Sequence, residues 1–159
     1  MCGHSLSADM MIQQLIHALY PAIQHQLVVV DSIGCSISKQ ESKLCEIIIS
    51  LKNEFQSLVT YENKLVFASV LKVFNSQSED INKLPNVKEL LHLTSNKEQR
   101  IMLVVDELEE ELQQSSVEDK EPFHQLIQLF KTDFVKHKAD WSNMIVNWQS
   151  SCNCFKRIT

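Results

Sequence analysis

Glycine occurs twice and proline three times in a chain of 159 residues. Hairpins and tight crossings draw on both residues for positive φ and fixed turn geometry, so their scarcity argues against a β architecture and for long helices with few connections. Basic clustering is missing too. Fifteen Lys and Arg face 20 Asp and Glu, for a net charge of -5 and a pI near 5.6. A surface that tracks phosphate needs a basic face, so nucleic acid is not an expected partner. No apolar run approaches the roughly 20 residues that a helix needs to cross a bilayer, and no membrane partner is expected. The N-terminus, MCGHSLSADMM, has no basic stretch followed by an apolar one. An odd number of cysteines (Cys2, Cys35, Cys45, Cys152 and Cys154) then reads as reduced thiols in a cytoplasmic setting. Catalytic signatures are absent as well: no glycine-rich phosphate loop, no His-Glu-x-x-His and no nucleophile–base–orienter set. The expected function is therefore non-enzymatic.

What the chain does have is hydrophobic periodicity. With 44% hydrophobic and 22% charged residues it can build one core, and residues 1–159 read as a single helical domain. Four amphipathic segments are expected, over about 8–32, 39–74, 86–114 and 122–149, with a short tail 150–159. The first carries Met11, Leu15, Leu19, Ile23 and Leu27, with Pro21 either kinking it or opening a second helix. Gly34 is a plausible stop for it. Ser38 and Glu41 have capping-box spacing for the second, whose stripe runs Leu44, Ile48, Leu51, Phe55, Leu58, Glu62, Leu65, Val66, Val70 and Val73. The polar stretch NSQSEDINK separates the halves. Pro85 suits the start of the third segment, with Val87, Leu90, Leu91, Thr94, Glu98, Ile101, Val105, Leu108 and Leu112 on its stripe. The fourth carries Phe123, Leu126, Ile127, Phe130, Phe134, His137, Trp141, Met144, Ile145 and Trp148. The β-branched runs in QLVVVDSI and CEIIISL sit within helical periodicity and have no strand partner. The expected fold is all-α, an antiparallel up-down-up-down four-helix bundle.

Three of the four stripes are interrupted well inside their helices: Glu62 in the second, Thr94 and Glu98 in the third, His137 in the fourth. Facing helices of a bundle build carboxylate and histidine metal sites from such positions. The plainer alternative is a Glu62–His137 hydrogen bond that needs no metal.

Two of these stretches also resemble a known family. TYENKLVFASVL resembles the second-helix motif of hemerythrin-like proteins, in which a histidine and, four residues later, a glutamate precede a Phe-Pro pair. VKHKADWSNMIV resembles the fourth-helix motif, again histidine then glutamate. With Phe67 and Ala68 on the Phe-Pro pair, Glu62 falls on the glutamate ligand and Leu58 on the histidine. His137 falls on the fourth-helix histidine and Trp141 on its glutamate. The third-helix histidine would fall near Thr94 or Glu98, the first near Leu19, two residues from His17. The resemblance implies a hemerythrin-like bundle around an oxo-bridged di-iron centre, with oxygen, nitric-oxide or iron–sulfur repair chemistry. Leucine and tryptophan cannot hold iron. The expectation is therefore a degenerate, metal-free site in a small binding, sensor or interaction module, without a cofactor. The alternative is iron or zinc on Glu62, His137, Glu98 and His17 in a redox or gas-sensing protein. A second alternative is a structural dimerisation domain, and a homodimer, another protein or a small ligand is the kind of partner expected.

Other features carry less. Cys-Gly-His at residues 2–4 has the donors for a square-planar metal, and Cys152 and Cys154 form a C-x-C pair. DELEEEL, residues 106–112, puts acidic charge at a helix C-terminus, where the macrodipole disfavours it. His25, His92 and His124 lie beside the stripes and read as boundary or surface residues.

Overall fold

A computed structural model describes residues 15–37, 42–74, 87–115, 117 and 119–151, and side-chain environments for 17–37, 42–65, 89–115, 117 and 119–144. The expected helix start near residue 8, the Ser38–Glu41 capping box, the NSQSEDINK linker, Pro85, Cys2, His4, Cys152 and Cys154 lie outside the described residues. So do the side chains of Val66, Val70, Val73, Ile145 and Trp148.

The fold is all-α. A π-helical turn, Leu15–Leu19, leads into α1 (Tyr20–Ile37), followed by α2 (Ser42–Phe74), α3 (Val87–Gln114) and α4 (Glu121–Ser151). No strand occurs among the described residues, so the β-branched runs are helical. No helix there is long and apolar enough to cross a membrane.

The first segment differs most from expectation. Proline has no N–H to donate and its ring presses on the turn before it. Here Pro21 stands in the first turn of α1, immediately after the wider π-helical turn, so it opens a helix. At the other end Gly34 does not stop α1, which runs on to Ile37. Gly34 is a packing position instead: a Cβ built there would lie 3.0 Å from Ile48 Cγ2 on α2. The absent side chain lets the two helices approach closely.

The end of α3 is closed by local bonds. Ser115 donates from its backbone N–H and from Oγ to the Leu112 carbonyl (3.3 and 2.9 Å), and Lys120 Nζ donates to the Gln113 carbonyl at 3.0 Å. These contacts satisfy carbonyls that have no partner within the helix, and the lysine brings positive charge to an acidic C-terminus. α4 begins at Glu121, one residue before Pro122, which occupies its first turn.

All four helices contribute to one continuous core. Leu19, Ile23, Val30, Ile33 and Ile37 come from α1 and the turn before it. Leu44, Ile48, Leu51, Phe55, Leu58 and Leu65 come from α2, Leu90, Ile101, Val105, Leu108 and Leu112 from α3, and Ile127, Phe130, Phe134, Trp141 and Met144 from α4. Its middle is aromatic. Phe55 lies 5.9 Å from Phe130 and 6.0 Å from Phe134, and those two rings stack at 5.7 Å. Such geometry adds to the area each ring removes from water.

Ion pairs line the seams. Lys52 meets Asp31 (2.8 Å) between α2 and α1, and His25 meets Asp133 (2.8 Å) between α1 and α4. Lys43 meets Glu111 (3.2 Å), and Lys97 and Arg100 both reach Glu54 (3.0 and 3.3 Å), between α2 and α3. Lys131 meets Glu109 at 2.6 Å between α4 and α3. Exposed pairs of this kind contribute about 0–1 kcal/mol each, and they register the helices more than they stabilise them.

Candidate functional site

Four polar side chains are buried among the described residues: Gln26, Glu62, Thr94 and His137. Thr94 is satisfied within its own helix, its Oγ1 donating to the Leu91 carbonyl at 2.8 Å. Glu62 and His137 meet each other. They come from α2 and α4, 75 residues apart in the chain, and His137 Nε2 lies 3.0 and 2.9 Å from the two carboxylate oxygens. With Glu62 ionised, Nε2–H donates to both oxygens at once.

Helical spacing places the pair. Glu62 follows Phe55 and Leu58 at seven and four residues, so it falls on the core face of α2. His137 follows Phe130 and Phe134 at seven and three, and so falls on the core face of α4. Phe134 shelves the imidazole, ring centres 6.4 Å apart. The positions four residues away complete the enclosure: Leu58 is fully buried and Trp141 nearly so. Both side chains of the pair are fully inaccessible.

Electrostatics follow from that enclosure. Burial pushes the Glu62 carboxyl above its usual range, against the opposing pull of the His137 hydrogen bond and charge. Glu98 on α3 is half-buried nearby. Its carboxyl is pushed up to about 7, first by burial and then by the negative charge of Glu62, while Lys138 and His137 pull it down. Tyr20, at the first position of α1, has its phenol pushed up by burial and by Glu62. The polar neighbourhood is therefore Tyr20, Glu62, Glu98 and His137, one residue from each helix.

Sequence reasoning found three of these four. Tyr20 was missed because it stands one position off the apolar stripe. Its only sequence signal is an aromatic residue just before Pro21. His17 does not join the group: it is exposed on the π-helical turn and makes no hydrogen bond or ion pair among the described residues. His25, His92 and His124 are all exposed, and His25 is paired with Asp133. Gln26 was not expected in the core; its Oε1 is buried without a hydrogen-bond partner among the described residues, as is His137 Nδ1.

The donor set does not fit a di-iron group. The positions that would supply a second histidine and a second carboxylate hold Leu58 and Trp141, both packed in the core. The Nε2 edge of His137 is directed at Glu62. No group of three or more His, Cys, Asp or Glu side chains that could hold a metal ion occurs among the described residues.

The raised Glu98 pKa has a measurable consequence. An unfolded glutamate titrates near 4.5. Between that value and about 7 the unfolded chain binds fewer protons than the folded one, so this residue makes stability fall as pH rises through that window. Its penalty is absent below the window and complete above it. Glu98→Gln is expected to stabilise the protein by on the order of 1–3 kcal/mol at pH ~8 and to change little at pH ~4. Thermal melts of both proteins across that range check it; a variant advantage that is independent of pH would contradict it.

Comparison with protein-family models, with curated proteins and with solved structures gives no match to this chain.

Proposed function

We propose that this protein is a non-enzymatic, hemerythrin-like four-helix bundle whose ancestral metal position has become a closed structural tie. In this reading it serves in the cytoplasm as a small binding or interaction module. The observation that carries the reading is the Glu62–His137 pair. It is fully inaccessible, hydrogen-bonded within itself, and flanked at the four-residue spacing by Leu58 and Trp141. A vacated ligand position in a core is costly to leave empty, and large apolar side chains fill such space.

An up-down-up-down arrangement accounts for the seam contacts. Along α2 from Lys43 to Glu54, the partners on α3 fall from Glu111 to Arg100 and Lys97. From Glu109 to Glu98 on α3, the partners on α4 rise from Lys131 to Lys138. Contacts that run in opposite directions along two helices support antiparallel neighbours.

The test is metal content. Protein purified without a histidine tag is expected to carry iron, zinc and manganese far below one equivalent while remaining fully helical and cooperatively folded. Glu62→Ala and His137→Ala serve as controls. Stoichiometric metal in the parent that is lost in both variants would overturn the tie and establish the alternative, a metal-dependent redox or gas sensor.

A further inference from the structure

Two buried polar atoms have no hydrogen-bond partner among the described residues: Gln26 Oε1 on α1 and His137 Nδ1 on α4. Their residues are 2% and 1% exposed. A buried polar group without a partner is costly, and native cores carry few of them. Neighbours on the same helix faces cannot help. Ile23 and Val30 flank Gln26, and Phe130 and Phe134 precede His137; none of these side chains donates or accepts. The Thr94 hydroxyl is committed to the Leu91 carbonyl, and Glu62 to His137 Nε2.

The two atoms belong to facing stretches of α1 and α4. His25, the residue before Gln26, meets Asp133, one turn before His137, at 2.8 Å. Tyr20, five residues before His25, lies close enough to Glu62, the partner of His137, for the two to interact electrostatically. Contacts on α4 thus move toward its N-terminus as α1 advances, the antiparallel order proposed above. In that order Gln26 and His137 stand five residues out of level, roughly 7–8 Å along the axis. Each Cα–Cβ bond tilts toward the N-terminus of its own helix. In antiparallel neighbours with this offset, that tilt turns the two side chains toward each other.

We propose that one internal water bridges Gln26 Oε1 and His137 Nδ1. A bridging water spans about 5–6 Å between its partners, which suits two side chains converging from that offset. It also suits either state of the imidazole. It accepts from Nδ1–H when the ring is charged, donates to Nδ1 when the ring is neutral, and donates its other hydrogen to Oε1 in both cases. A cation is repelled by the charged ring and an anion by Oε1, so neither serves both states. Two polar partners meet the lower requirement of a buried water. A polar chain then crosses the core from α1 through α4 to α2: Gln26, water, His137, Glu62. The proposal rests on the tie reading, in which Glu62 holds Nε2 and no metal does.

High-resolution crystallography of the parent chain, with its metal content measured, tests it. An ordered water within hydrogen-bond distance of both atoms is expected. Oxygen-17 relaxation dispersion is expected to count one long-lived internal water more in the parent than in Gln26→Leu, with circular dichroism confirming that the variant is folded. Gln26→Leu is expected to lower the folding equilibrium constant roughly tenfold, because it strands Nδ1. In the Glu62→Leu, His137→Leu background no imidazole remains to strand, and the same substitution is expected to raise the constant. Stoichiometric metal in the parent would overturn the tie reading and this proposal with it. A metal-free parent with no water between the two atoms would overturn this proposal alone. So would equal water counts in parent and Gln26→Leu, or a Gln26→Leu effect of the same sign and size in both backgrounds.

Discussion

His137→Ala is expected to cost about 3–5 kcal/mol of unfolding free energy. The substitution strands the Glu62 carboxylate in a core from which both side chains of the pair are wholly excluded from water. Relief comes only by protonating the carboxyl or admitting water, and either change loosens the packing of Leu58, Phe134 and Trp141. Glu62→Ala leaves the imidazole without a partner on either nitrogen among the described residues, since Nδ1 has none there to begin with. Its cost is expected to be of the same order. The double replacement Glu62→Leu with His137→Leu behaves differently. It removes both desolvated groups and puts apolar volume in their place, so its stability is expected to match or exceed that of the parent. Urea unfolding followed by circular dichroism measures all four proteins. Single substitutions that each cost under about 1 kcal/mol would show that the two side chains are not energetically dependent on one another.

Phe55→Ala carries the other large effect. The ring is fully buried and touches both Phe130 and Phe134, so truncation removes its transfer free energy, two aromatic contacts and the support of a stacked pair. The expected loss is about 3–5 kcal/mol, or a fall in midpoint temperature of roughly 10 °C for a chain of this size. Val28→Ala, at a 64% exposed position, is expected to stay within about 0.5 kcal/mol of the parent. Calorimetry decides this; a Phe55→Ala midpoint within a degree or two of the parent would mean that the aromatic centre collapses around the gap.

Much of the core was legible from spacing. On α2 the stripe from Leu44 to Leu65 is buried without exception, Glu62 included, because alternate steps of three and four residues track the 3.6-residue turn. Thr94 and His137 were placed inside for the same reason. On α1 the stripe held at Leu19 and Ile23 and slipped at Leu27, because successive steps of four drift by about 40° each. The buried positions are Leu19, Ile23, Gln26, Val29, Val30, Ile33 and Ile37, which bring back steps of three. Leu27 is only partly buried, and Gln26 takes the place that hydrophobicity alone assigned to it. Gly34 misled because local rules treat glycine as an ending, whereas here the approach of Ile48 decides. That Glu62 and His137 would meet was legible only as one option. Spacing places a residue on a face; it does not say which residue it faces. Tyr20 was hidden because proximity to Glu62 arises from packing between helices and leaves no periodic trace.

The Glu62–His137 bond joins the N-terminal half of the chain to the C-terminal half. Glu62 belongs to the half made by α1 and α2, and His137 to the half made by α3 and α4. Either half alone would bury a polar group that only the other can satisfy. Burial of apolar surface pulls the helices together, yet the unpaired group penalises any state in which one half is packed and the other is not. The pair thus raises the free energy of half-folded intermediates relative to both end states. It adds little to the depth of the native well and makes its walls steeper, so the two halves form and dissolve as one cooperative unit.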